Sequence, residues 1–598
     1  FFSFITWYNH GIFAGEAIVH LVIQKNRGVE YVSFRESFWD PVRKKSSSRT
    51  VKNFGRLDAL REKDPDILEK LRAEVERLNS HKDQVKQATL ENRLERLHAE
   101  SKTATNPDAD NRTLMIGACA YRQIWNKLGM PRKLRDLQKT DATVVDIPDA
   151  AFYMVAARSL MPDSKLGQWS RRNTFLYGGS TLKLSHLYRT IDKLEQHRRE
   201  LIRYINRQIA KHYDRVVTVA LYDVTTYWFE SQDADTLRNF GFSKDNKINQ
   251  VQVVMGLLID QNGIPIDYEL FPGNTSEYGT MIPILRRLKE EYNLRRVIVT
   301  ADRGLNSGPN LQQIRDMGLD YVIAYRLRNS GDAIRKLVTD ENGWTYRRGS
   351  TLCDVSKYRI TKETRSFRMV DGDTGEIKTG KLESNLLINY SAKRAAKDRK
   401  DRDRLVDKAR RYEEHPLLLK QDMRRGGKSY LKVNAEELSV EVDNERIRNA
   451  AVYDGYYGIS YSDASMSVEE VLSVHHSLWQ IEESFRISKS LLEARPCFHW
   501  RERRIRGHFL ICYLALVMHR LLEKELADKG VSLTAERIID ALAAAELQEV
   551  VLPSGEAIYT KARTGSDFEA IFKALGLGKL PRIGKAADIK RALKIREL

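Results

Sequence analysis

The sequence predicts an α/β fold built on a mixed β-sheet. From residue 215, three strand-like runs follow one another with only short polar segments between them: VVTVALYDVTTYWFE, VQVVMGLLID and IPIDYELFPGN. A helical pattern, the buried run RRVIVTADRG, a second helical pattern and the run YVIAYRL then alternate. Consecutive strands followed by alternating strands and helices are typical of a mixed sheet. Residues 113–212, before the sheet, have mainly helical periodicity.

The composition favours a multidomain protein with an anionic partner. The chain has 598 residues, too many for one compact core. Its 100 Lys and Arg residues exceed its 81 Asp and Glu residues, which gives a formal charge of +19. A surface of this sign attracts polyanions, of which DNA and RNA are the usual ones. We therefore expect a nucleic acid as partner.

The cysteines indicate a reducing compartment. The chain has four cysteines, and none belongs to a CxxC pair, so the sequence does not support a zinc ribbon. So few scattered cysteines in a chain of this length are typical of a cytoplasmic protein.

No apolar run in the sequence is long enough for a membrane span, so we expect no membrane partner.

Composition and pattern divide the chain into seven segments. Residues 1–21 are interpreted as an upstream extension or a misplaced start rather than a signal peptide, because no basic region precedes their apolar residues and His10 and Glu16 interrupt them. The other predicted segments are a basic and helical DNA-binding region at 22–112, a helical region at 113–212, the first part of the α/β core at 213–330, a β-rich insertion at 331–460, the second part of the core at 461–530, and C-terminal helices with a basic tail at 531–598.

The N-terminal region contains a strand pattern followed by a helix. Residues 22–56 alternate apolar and polar side chains and become basic towards their end, which predicts a small β unit. Asp64 and Pro65 are typical of a helix start. The apolar stripe that follows, from Ile67 to Leu78, is compatible with a coiled-coil dimer contact or with an amphipathic helix packed on its own domain.

Two aspartates occur where a buried strand would continue with an apolar residue. Asp223 lies within the run VVTVALYDV, and Asp302 ends the run VIVTAD. Aspartate is depleted in strands, and a buried carboxylate without a partner is costly. Ligands of open α/β sheets gather at the C-terminal ends of strands. The pair therefore predicts a metal site, although each aspartate alone is also compatible with a turn or a helix cap.

A glutamate from a later helix completes the candidate site. Glu482 lies in LWQIEESFRISKS beside Ile481, near the edge of the apolar face of a predicted helix. By pattern alone, Glu482 is more typical of an exposed surface acid than of a metal ligand. Three carboxylates are hard oxygen ligands that suit Mg²⁺ or Mn²⁺. Two such ions, roughly 3.5–4 Å apart, activate an attacking water or 3′-hydroxyl and stabilise the leaving oxygen in phosphoryl transfer.

These motifs and their order resemble the DDE transposases of bacterial insertion sequences. The order is LYDVTTYWFE, VIVTADRG, a long insertion and LWQIEESFRISKS, and RSLMPDSKLGQW and YDGYYGISYS add to the similarity. More closely, they resemble the branch that has a β-rich insertion and the motif Tyr, two residues, Arg, three residues, Glu, six residues, Lys. Glu482 and Lys489 match its second half. His475 and Leu478 occupy the Tyr and Arg positions and depart from it.

The resemblance implies a ribonuclease H-like core and a transposition activity. It implies that Asp223 lies on the first core strand, Asp302 just after the fourth, and Glu482 on a later helix. The implied reaction is metal-dependent cleavage at transposon ends and strand transfer into target DNA. Lys489 would contact a phosphate of the transposon end. The implied partner is double-stranded DNA near the nucleoid, and the need to pair two ends suggests a homodimer.

Two basic clusters are candidates for further DNA contacts. WRERRIRGH places four arginines after the Glu482 helix, and MRRGGKSYLK surrounds a Gly-Gly turn with basic residues. Such contacts add salt-dependent affinity rather than sequence recognition. Either cluster is also compatible with ordinary solvated charge, and Trp344 in the insertion is a candidate for stacking on an unpaired base. The DNA-contact candidates beside Lys489 are Arg486, Arg501, Arg503, Arg504, Arg506, Arg424, Arg425, Lys428 and Trp344.

Two other functions are compatible with the same residues. A ribonuclease H-like nuclease or resolvase would have the same metal site and would cut DNA without joining it. A transposase remnant that binds DNA without catalysis is the other alternative. The large insertion and the separate N-terminal helices favour transposition, and the presence of all three carboxylates argues against an inactive remnant.

Overall fold

The structure is a computed structural model, and it divides into two compact units. The first comprises residues 1–113, 547–562 and 578–597, and the second residues 114–546 and 563–577. The structure describes residues 18–26, 28–40, 45–80, 112–140, 146–176, 181–241, 250–276, 279–292, 297–301, 305–347, 355–370, 376–415, 418, 427–434, 439–495, 497–551 and 556–594.

The described residues form strands and helices that are numbered here in chain order. The strands are β1 (Ile18–Asn26), β2 (Val29–Asp40), β3 (Lys45–Arg56), β4 (Arg112–Met115), β5 (Val219–Trp228), β6 (Gln252–Asp260), β7 (Pro265–Pro272), β8 (Ile298–Ala301), β9 (Asp320–Tyr325), β10 (Thr345–Tyr346), β11 (Lys357–Val370), β12 (Ile377–Tyr390), β13 (Leu431–Asn434), β14 (Ser439–Val442), β15 (Tyr456–Tyr461), β16 (Glu546–Val551), β17 (Ala557–Arg563) and β18 (Ile583–Lys585).

The helices are α1 (Leu57–Lys63), α2 (67–80), α3 (Ala118–Lys127), α4 (Met130–Thr140), α5 (Ile147–Leu160), α6 (Lys165–Ser170), α7 (Leu184–Gln196), α8 (Arg198–Tyr213), α9 (Met281–Tyr292), α10 (Gly308–Asp316), α11 (Gly331–Thr339), α12 (Ala392–Glu414), α13 (Asn444–Ala451), α14 (Val468–His476), α15 (Trp479–Arg486), α16 (Glu502–Asp528), α17 (Ala535–Ala543), α18 (Ser566–Ala574) and α19 (Ala586–Ala592). A π-helical turn, Ile487–Leu491, follows α15 directly.

The first unit contains a small antiparallel sheet of order β1-β2-β3, as the alternating pattern predicted. Helix α2 packs its apolar stripe against this sheet, where Leu71 joins a core with Val19, Val32 and Phe34. For residues 67–80, the structure therefore favours a helix packed on its own domain over a coiled-coil contact. A second sheet has the order β18-β17-β16-β4.

The second unit is built on a nine-stranded sheet of order β10-β11-β12-β15-β9-β8-β5-β6-β7. Strands β5, β6 and β7 are an antiparallel meander, whereas β8 and β9 run parallel to β5. Helices α9 and α10 fall between β7 and β9 in the chain. Three antiparallel strands extended by two parallel strands beside the first one are the topology of a ribonuclease H-like core. The mixed α/β fold expected from the sequence is thereby confirmed.

Apolar layers cover both faces of this sheet. On one face, Tyr222 and Val224 of β5 pack with residues of α9 and α10, such as Ile284 and Leu311. On the other face, the ring of Tyr227 contacts Phe509 of α16 with centroids 4.9 Å apart. Helix α16 also packs on α5 and α7. A Cβ at its Gly507 would lie 2.6 Å from the backbone oxygen of Ile191, so this crossing requires glycine.

Residues 331–460 extend the sheet and also add a separate layer. Strands β10, β11, β12 and β15 continue the nine-stranded sheet beyond β9. This segment also contains the highly charged helix α12, which is 23 residues long. Its apolar residues, among them Val406 and Tyr412, pack with Leu431 of the β13-β14 hairpin. Its remaining surface is mostly exposed and charged.

Among the described residues, one helix is long and apolar enough by composition to cross a membrane, and this helix is α16. Most of its length is buried inside the second unit. Core helices often satisfy the same criterion, so this observation is weak evidence for a membrane span.

Candidate active site

Asp223 lies in the middle of β5, next to the C-terminal end of β8. The parallel register pairs Tyr222 with Ala301, the last residue of β8. Asp223 follows Tyr222, and Asp302 follows Ala301 in the sequence. Asp302 itself lies outside the described residues. The Asp223 side chain is half-buried, and its Oδ1 accepts a hydrogen bond of 2.7 Å from the backbone N–H of Val224.

The side chain of Asp223 belongs to the sheet face that is covered by α15 and α16. Side chains alternate along a strand, so Asp223, Thr225 and Tyr227 share one face, while Tyr222 and Val224 point to the other. Helix α15 packs against β5, and Tyr227 contacts α16 on this face. The sheet therefore directs Asp223 towards the layer that carries Glu482.

Glu482 occupies the first turn of α15 and is exposed. Its neighbours Ile481 and Phe485 are buried and fix which side of the helix faces the core. The next residue, Glu483, is already committed to an ion pair of 2.6 Å with Arg486. Of these two adjacent glutamates, Glu482 is the one for which no ion pair is seen within the described part of the chain.

The π-helical turn after α15 places Lys489 near strand β5. The hydroxyls of Tyr227 and Ser488 are hydrogen-bonded at 2.9 Å, and Lys489 Nζ lies 5.6 Å from the centre of the Tyr227 ring. Burial raises the pKa of the Tyr227 hydroxyl, which keeps it protonated at neutral pH. Because a π turn interrupts the α-helical period, the spacing of seven residues does not put Lys489 directly above Glu482. Lys489 instead reaches the strand that carries Asp223.

Arg520 of α16 holds α15 in place through hydrogen bonds. Its Nη2 donates hydrogen bonds to the carbonyl of Gln480 at 3.2 Å and to Ser484 Oγ at 3.0 Å. Glu523 holds the guanidinium through a contact of 2.8 Å. Burial by itself would raise the pKa of Glu523, but the hydrogen bonds and charges of His519 and Arg520 outweigh it and lower this pKa to about 2. The helix that carries Glu482 is thus held to α16 by two hydrogen bonds from Arg520, whose guanidinium an ion pair within α16 keeps in place.

Arg158 anchors the chain on the other side of the π turn. It is buried at the end of α5 and donates hydrogen bonds to the carbonyls of Leu492 and Glu493, at 3.4 and 3.1 Å. Glu493 has a left-handed backbone with φ of 41°. A non-glycine residue in this conformation is strained unless its surroundings hold it, and Arg158 supplies two of the required contacts.

The donor set fits a divalent metal by its chemistry. Carboxylate oxygens are the ligands that Mg²⁺ and Mn²⁺ prefer, and the sequence provides three in the order expected for them. No group of three or more metal-ligating side chains is found within the residues that the structure describes, which do not include Asp302.

The four arginines around the start of α16 differ in their availability to DNA. Arg503 donates to the carbonyl of Asp192 at 2.8 Å. Arg504 lies 4.9 Å from the centre of the Tyr188 ring and 3.5 Å from the Asp192 carboxylate. Arg506 pairs with Glu502 at 2.8 Å. Arg501 is exposed, and the described residues provide it with no ion pair.

The other predicted DNA contacts are placed less favourably or lie outside the described residues. Arg486 pairs with Glu483 and Glu536. Arg424 and Arg425 are outside the described residues, and Lys428 lies in a 3₁₀ turn, Gly427–Tyr430, where only its backbone is described.

Trp344 is buried rather than presented to a base. It is 8% exposed, donates from Nε1 to the carbonyl of Asp340 at 2.7 Å, and lies beside Lys357 and Tyr456. A base would reach its ring only after this cluster opened. We therefore leave Trp344 out of the proposed DNA contacts.

The two departures from the family motif precede Glu482. His475 at the end of α14 stacks on Tyr457, with ring centres 6.2 Å apart. Leu478 lies in the short connection to α15 and is half-buried. Neither side chain supplies the phenol or guanidinium that the motif has at these positions.

The supporting residues Tyr227, Ser488, Arg520 and Arg158 were not singled out from the sequence. Arg520 had a visible signal, since it interrupts the apolar run ICYLALVMHRLLEKE. Arg158 lies in RSLMPDSKLGQW, which contributed only to the family resemblance. Tyr227 and Ser488 carried no signal, because their pairing depends on how the chain folds between them.

Comparisons with known proteins match two ranges of the chain to transposase families. A family model described as "Transposase DDE domain" matches residues 229–518, a range that contains Asp302, Glu482 and Lys489 and begins after Asp223. A second model, "IS1634 family transposase, N-terminal domain", matches residues 19–93. No curated protein matches the chain significantly.

One solved structure with low similarity to this chain is that of a DNA-bound transposase. The cryo-EM structure of a piggyBac transposase synaptic complex with hairpin DNA aligns with 67% of this chain and 71% of its own, at 11% identity and a TM-score of 0.33. The two family models match two separate parts of the chain, and both describe transposases. The chain therefore belongs to the DDE transposases of insertion sequences, enzymes that transfer phosphoryl groups of DNA.

Proposed function

We propose that this transposase cleaves transposon ends and joins them to target DNA at a centre of two Mg²⁺ or Mn²⁺ ions held by Asp223, Asp302 and Glu482. The observation that carries the proposal is the register of β5 and β8, which pairs Tyr222 with Ala301. Asp302 directly follows Ala301, and neighbouring strands lie about 5 Å apart. If both strands continue in register, the two aspartates are adjacent.

Glu482 enters the proposed centre from the helical layer. It is exposed on a helix that packs against β5, on the face to which Asp223 points. Tyr227, Arg520 and Arg158 hold that helix and the turn after it. A catalytic ligand must be held within a fraction of an ångström of its working position, and these three anchors support such rigidity.

The residues of the chain have distinct tasks in the proposed reaction. The three carboxylates would hold the cations. Bound there, the cations would supply Lewis-acid activation of the attacking oxygen and would neutralise charge on the leaving oxygen. Lys489 would position a phosphate of the transposon end, since a lysine is a point charge that suits phosphate.

DNA contacts outside the centre would add affinity without sequence recognition. Arg501 is exposed at the start of α16, and Arg424, Arg425 and Lys428 lie in the basic loop sequence of residues 331–460. Because transposition joins two ends, we propose that a homodimer assembles on double-stranded DNA. An enzyme with this substrate would act in the cytoplasm, at the nucleoid.

The test is an assay of cleavage and joining on DNA that carries the terminal repeats of the element. With Mg²⁺, the unchanged protein should cut and join, whereas Asp223→Asn, Asp302→Asn and Glu482→Gln should each reduce cleavage at least 100-fold. The matched control is Glu483→Gln, which changes the adjacent glutamate of the same helix and should retain activity within a few fold.

Two results would contradict the proposal. Full cleavage by Glu482→Gln would remove this residue from the metal centre. Cleavage without any joining, under conditions in which both ends are paired, would favour the nuclease function instead.

A further inference from the structure

A second polar site lies on the far side of the anchored turn. A cavity of about 470 Å³ in the second unit is lined by the end of α5, the start of α6 and the chain that follows the π turn. Its basic lining residues are Arg158, Lys165, Arg495, His499 and His508.

Two cations at this cavity are buried without an acidic partner. Lys165 and Arg158 are each 3% exposed. Lys165 Nζ donates to the neutral amide oxygen of Gln168 at 2.9 Å, and the Arg158 guanidinium donates to backbone carbonyls. Neither cation forms an ion pair within the described part of the chain. Burying a charge in this way is costly unless an opposite charge joins it.

The acidic groups nearby do not offset this charge. Asp163 pairs with Arg171 and accepts a hydrogen bond from the N–H of Ser164, so its carboxylate is already used. Glu493 lines the cavity but is exposed, and its carbonyl serves as an acceptor for Arg158. Burial and the neighbouring Arg158 lower the pKa of Lys165 to about 7, which is the response of an amine that lacks an anion.

Unused hydrogen-bonding atoms point to a polar ligand. Among the described residues, Arg158 Nε and His508 Nδ1 are buried and have no hydrogen-bond partner. His508 Nε2 lies 3.2 Å from the carbonyl of Ala494, to which it donates, so Nδ1 is an acceptor. Burial lowers the pKa of His508 well below its ordinary value and keeps the ring neutral. The cavity thus offers cationic donors together with one acceptor.

We propose that this cavity binds one phosphate group of an unpaired DNA nucleotide, held by Lys165, Arg158 and Arg495. An anion with a hydroxyl nearby satisfies both the donors and the acceptor, because the anion accepts from the cations and the hydroxyl donates to His508 Nδ1. The volume admits a nucleotide-sized group but no duplex. The exposed ring of Phe498, 57% accessible, lies at the lining and offers a surface for the attached base. The proposal rests on the chain acting on DNA and is independent of the metal centre.

The site would also connect DNA to the catalytic helix. Arg158 lines the cavity and binds the carbonyls of Leu492 and Glu493, directly after the π turn that carries Lys489. A phosphate held by Arg158 would therefore be fixed to the same turn that orients Lys489. The cavity would then bind a DNA strand that leaves the active site at a second position.

The test is a calorimetric titration of the full chain in EDTA, so that the result does not depend on metal. The probes are a single-stranded tetranucleotide with a 5′-phosphate, the same tetranucleotide with a 5′-hydroxyl, and inorganic phosphate. We expect the tetranucleotides to bind, and Lys165→Gln and Arg495→Gln each to weaken their binding at least 10-fold. The control is Lys139→Gln, which removes an exposed lysine of α4 and should leave the affinity within twofold.

The outcomes separate the possible occupants. Unchanged affinity in both cavity variants, with folding verified by circular dichroism, would overturn the proposal. Binding of inorganic phosphate that the tetranucleotides do not displace would also overturn it, because the site would then serve a free anion. Arg495 is half-buried, so its replacement keeps the test decisive if Lys165→Gln fails to fold. Binding in the Asp302→Asn protein tests the cavity apart from the metal centre.

Discussion

The hydroxyls of Tyr227 and Ser488 are 2.9 Å apart, and this hydrogen bond joins the strand that carries Asp223 to the turn that carries Lys489. It spans 261 positions of the sequence and the whole of residues 331–460. The two halves of the proposed active site are therefore connected through a buried polar contact rather than through apolar packing alone.

Removal of this contact should lower both stability and activity. Tyr227→Phe keeps the ring and leaves the Ser488 hydroxyl without its partner, which costs about 1–2 kcal/mol of unfolding free energy. Ser488→Ala should cost a similar amount, and the double variant little more than either single one. Chemical unfolding of the three variants measures this coupling, and fully additive losses would show that the two hydroxyls act separately.

Arg520 should support catalysis without touching DNA. Arg520→Met retains the apolar stem and removes the donors to Gln480 and Ser484. Residues that orient a metal ligand typically contribute 10–100-fold to activity. We expect cleavage to fall by this factor while the affinity for transposon-end DNA stays within twofold in a gel-shift assay. A loss of affinity that equals the loss of cleavage would assign Arg520 to DNA binding instead.

The ion pair below α15 should make the protein sensitive to acid. The pKa of Glu523 is lowered to about 2 in the folded chain and is near 4.3 in an unfolded chain. The stabilisation from its ionised form is therefore fully present above about pH 5 and is lost as the pH falls towards 2. Glu523→Gln should be less stable at pH 7 by roughly 2–3 kcal/mol, and this difference should shrink between pH 5 and pH 3.

The measurement is the unfolding free energy of both proteins across that pH range. The comparison isolates one carboxylate, because all other titrating groups are shared. A difference that does not change with pH would mean that Glu523 stabilises the helix through packing and not through its charge.

Lys489 should contribute one phosphate contact. Lys489→Gln should weaken binding of transposon-end DNA and reduce the slope of log affinity against log salt by about 1. Arg503→Gln is a matched comparison, since Arg503 is basic, lies nearby in the chain and already donates to the carbonyl of Asp192. It should change the slope by much less. A larger effect of Arg503→Gln than of Lys489→Gln on the slope would assign the phosphate contact to Arg503 instead.

The sequence was most informative about the sheet and its aspartates. The runs around Asp223 and Ala301 are strongly apolar, so both strands were recognisable, and the polar residue within each was conspicuous. The register that pairs Tyr222 with Ala301 was not readable, because it depends on the helix and loop between the strands. Their shared edge was expected only from the general behaviour of α/β sheets.

The sequence was least informative about contacts that depend on tertiary packing. Trp344 was a candidate for stacking as an aromatic residue of the insertion, but β11 and β15 bring Lys357 and Tyr456 against its ring. Arg503, Arg504 and Arg506 appeared as one basic cluster, whereas α7, Glu269 and their own helix bind them individually. The assignment of Glu482 came from the family resemblance, and the structure adds that α15 packs on the strand of Asp223.

The most direct test of the central claim is the binding of Mn²⁺ to the purified protein, measured by electron paramagnetic resonance without DNA. The unchanged chain should bind Mn²⁺, and Asp223→Asn, Asp302→Asn and Glu482→Gln should each lower its affinity at least 10-fold, while Glu483→Gln should not. Equal Mn²⁺ binding by the unchanged protein and by all three variants would contradict the account that these carboxylates form one metal centre.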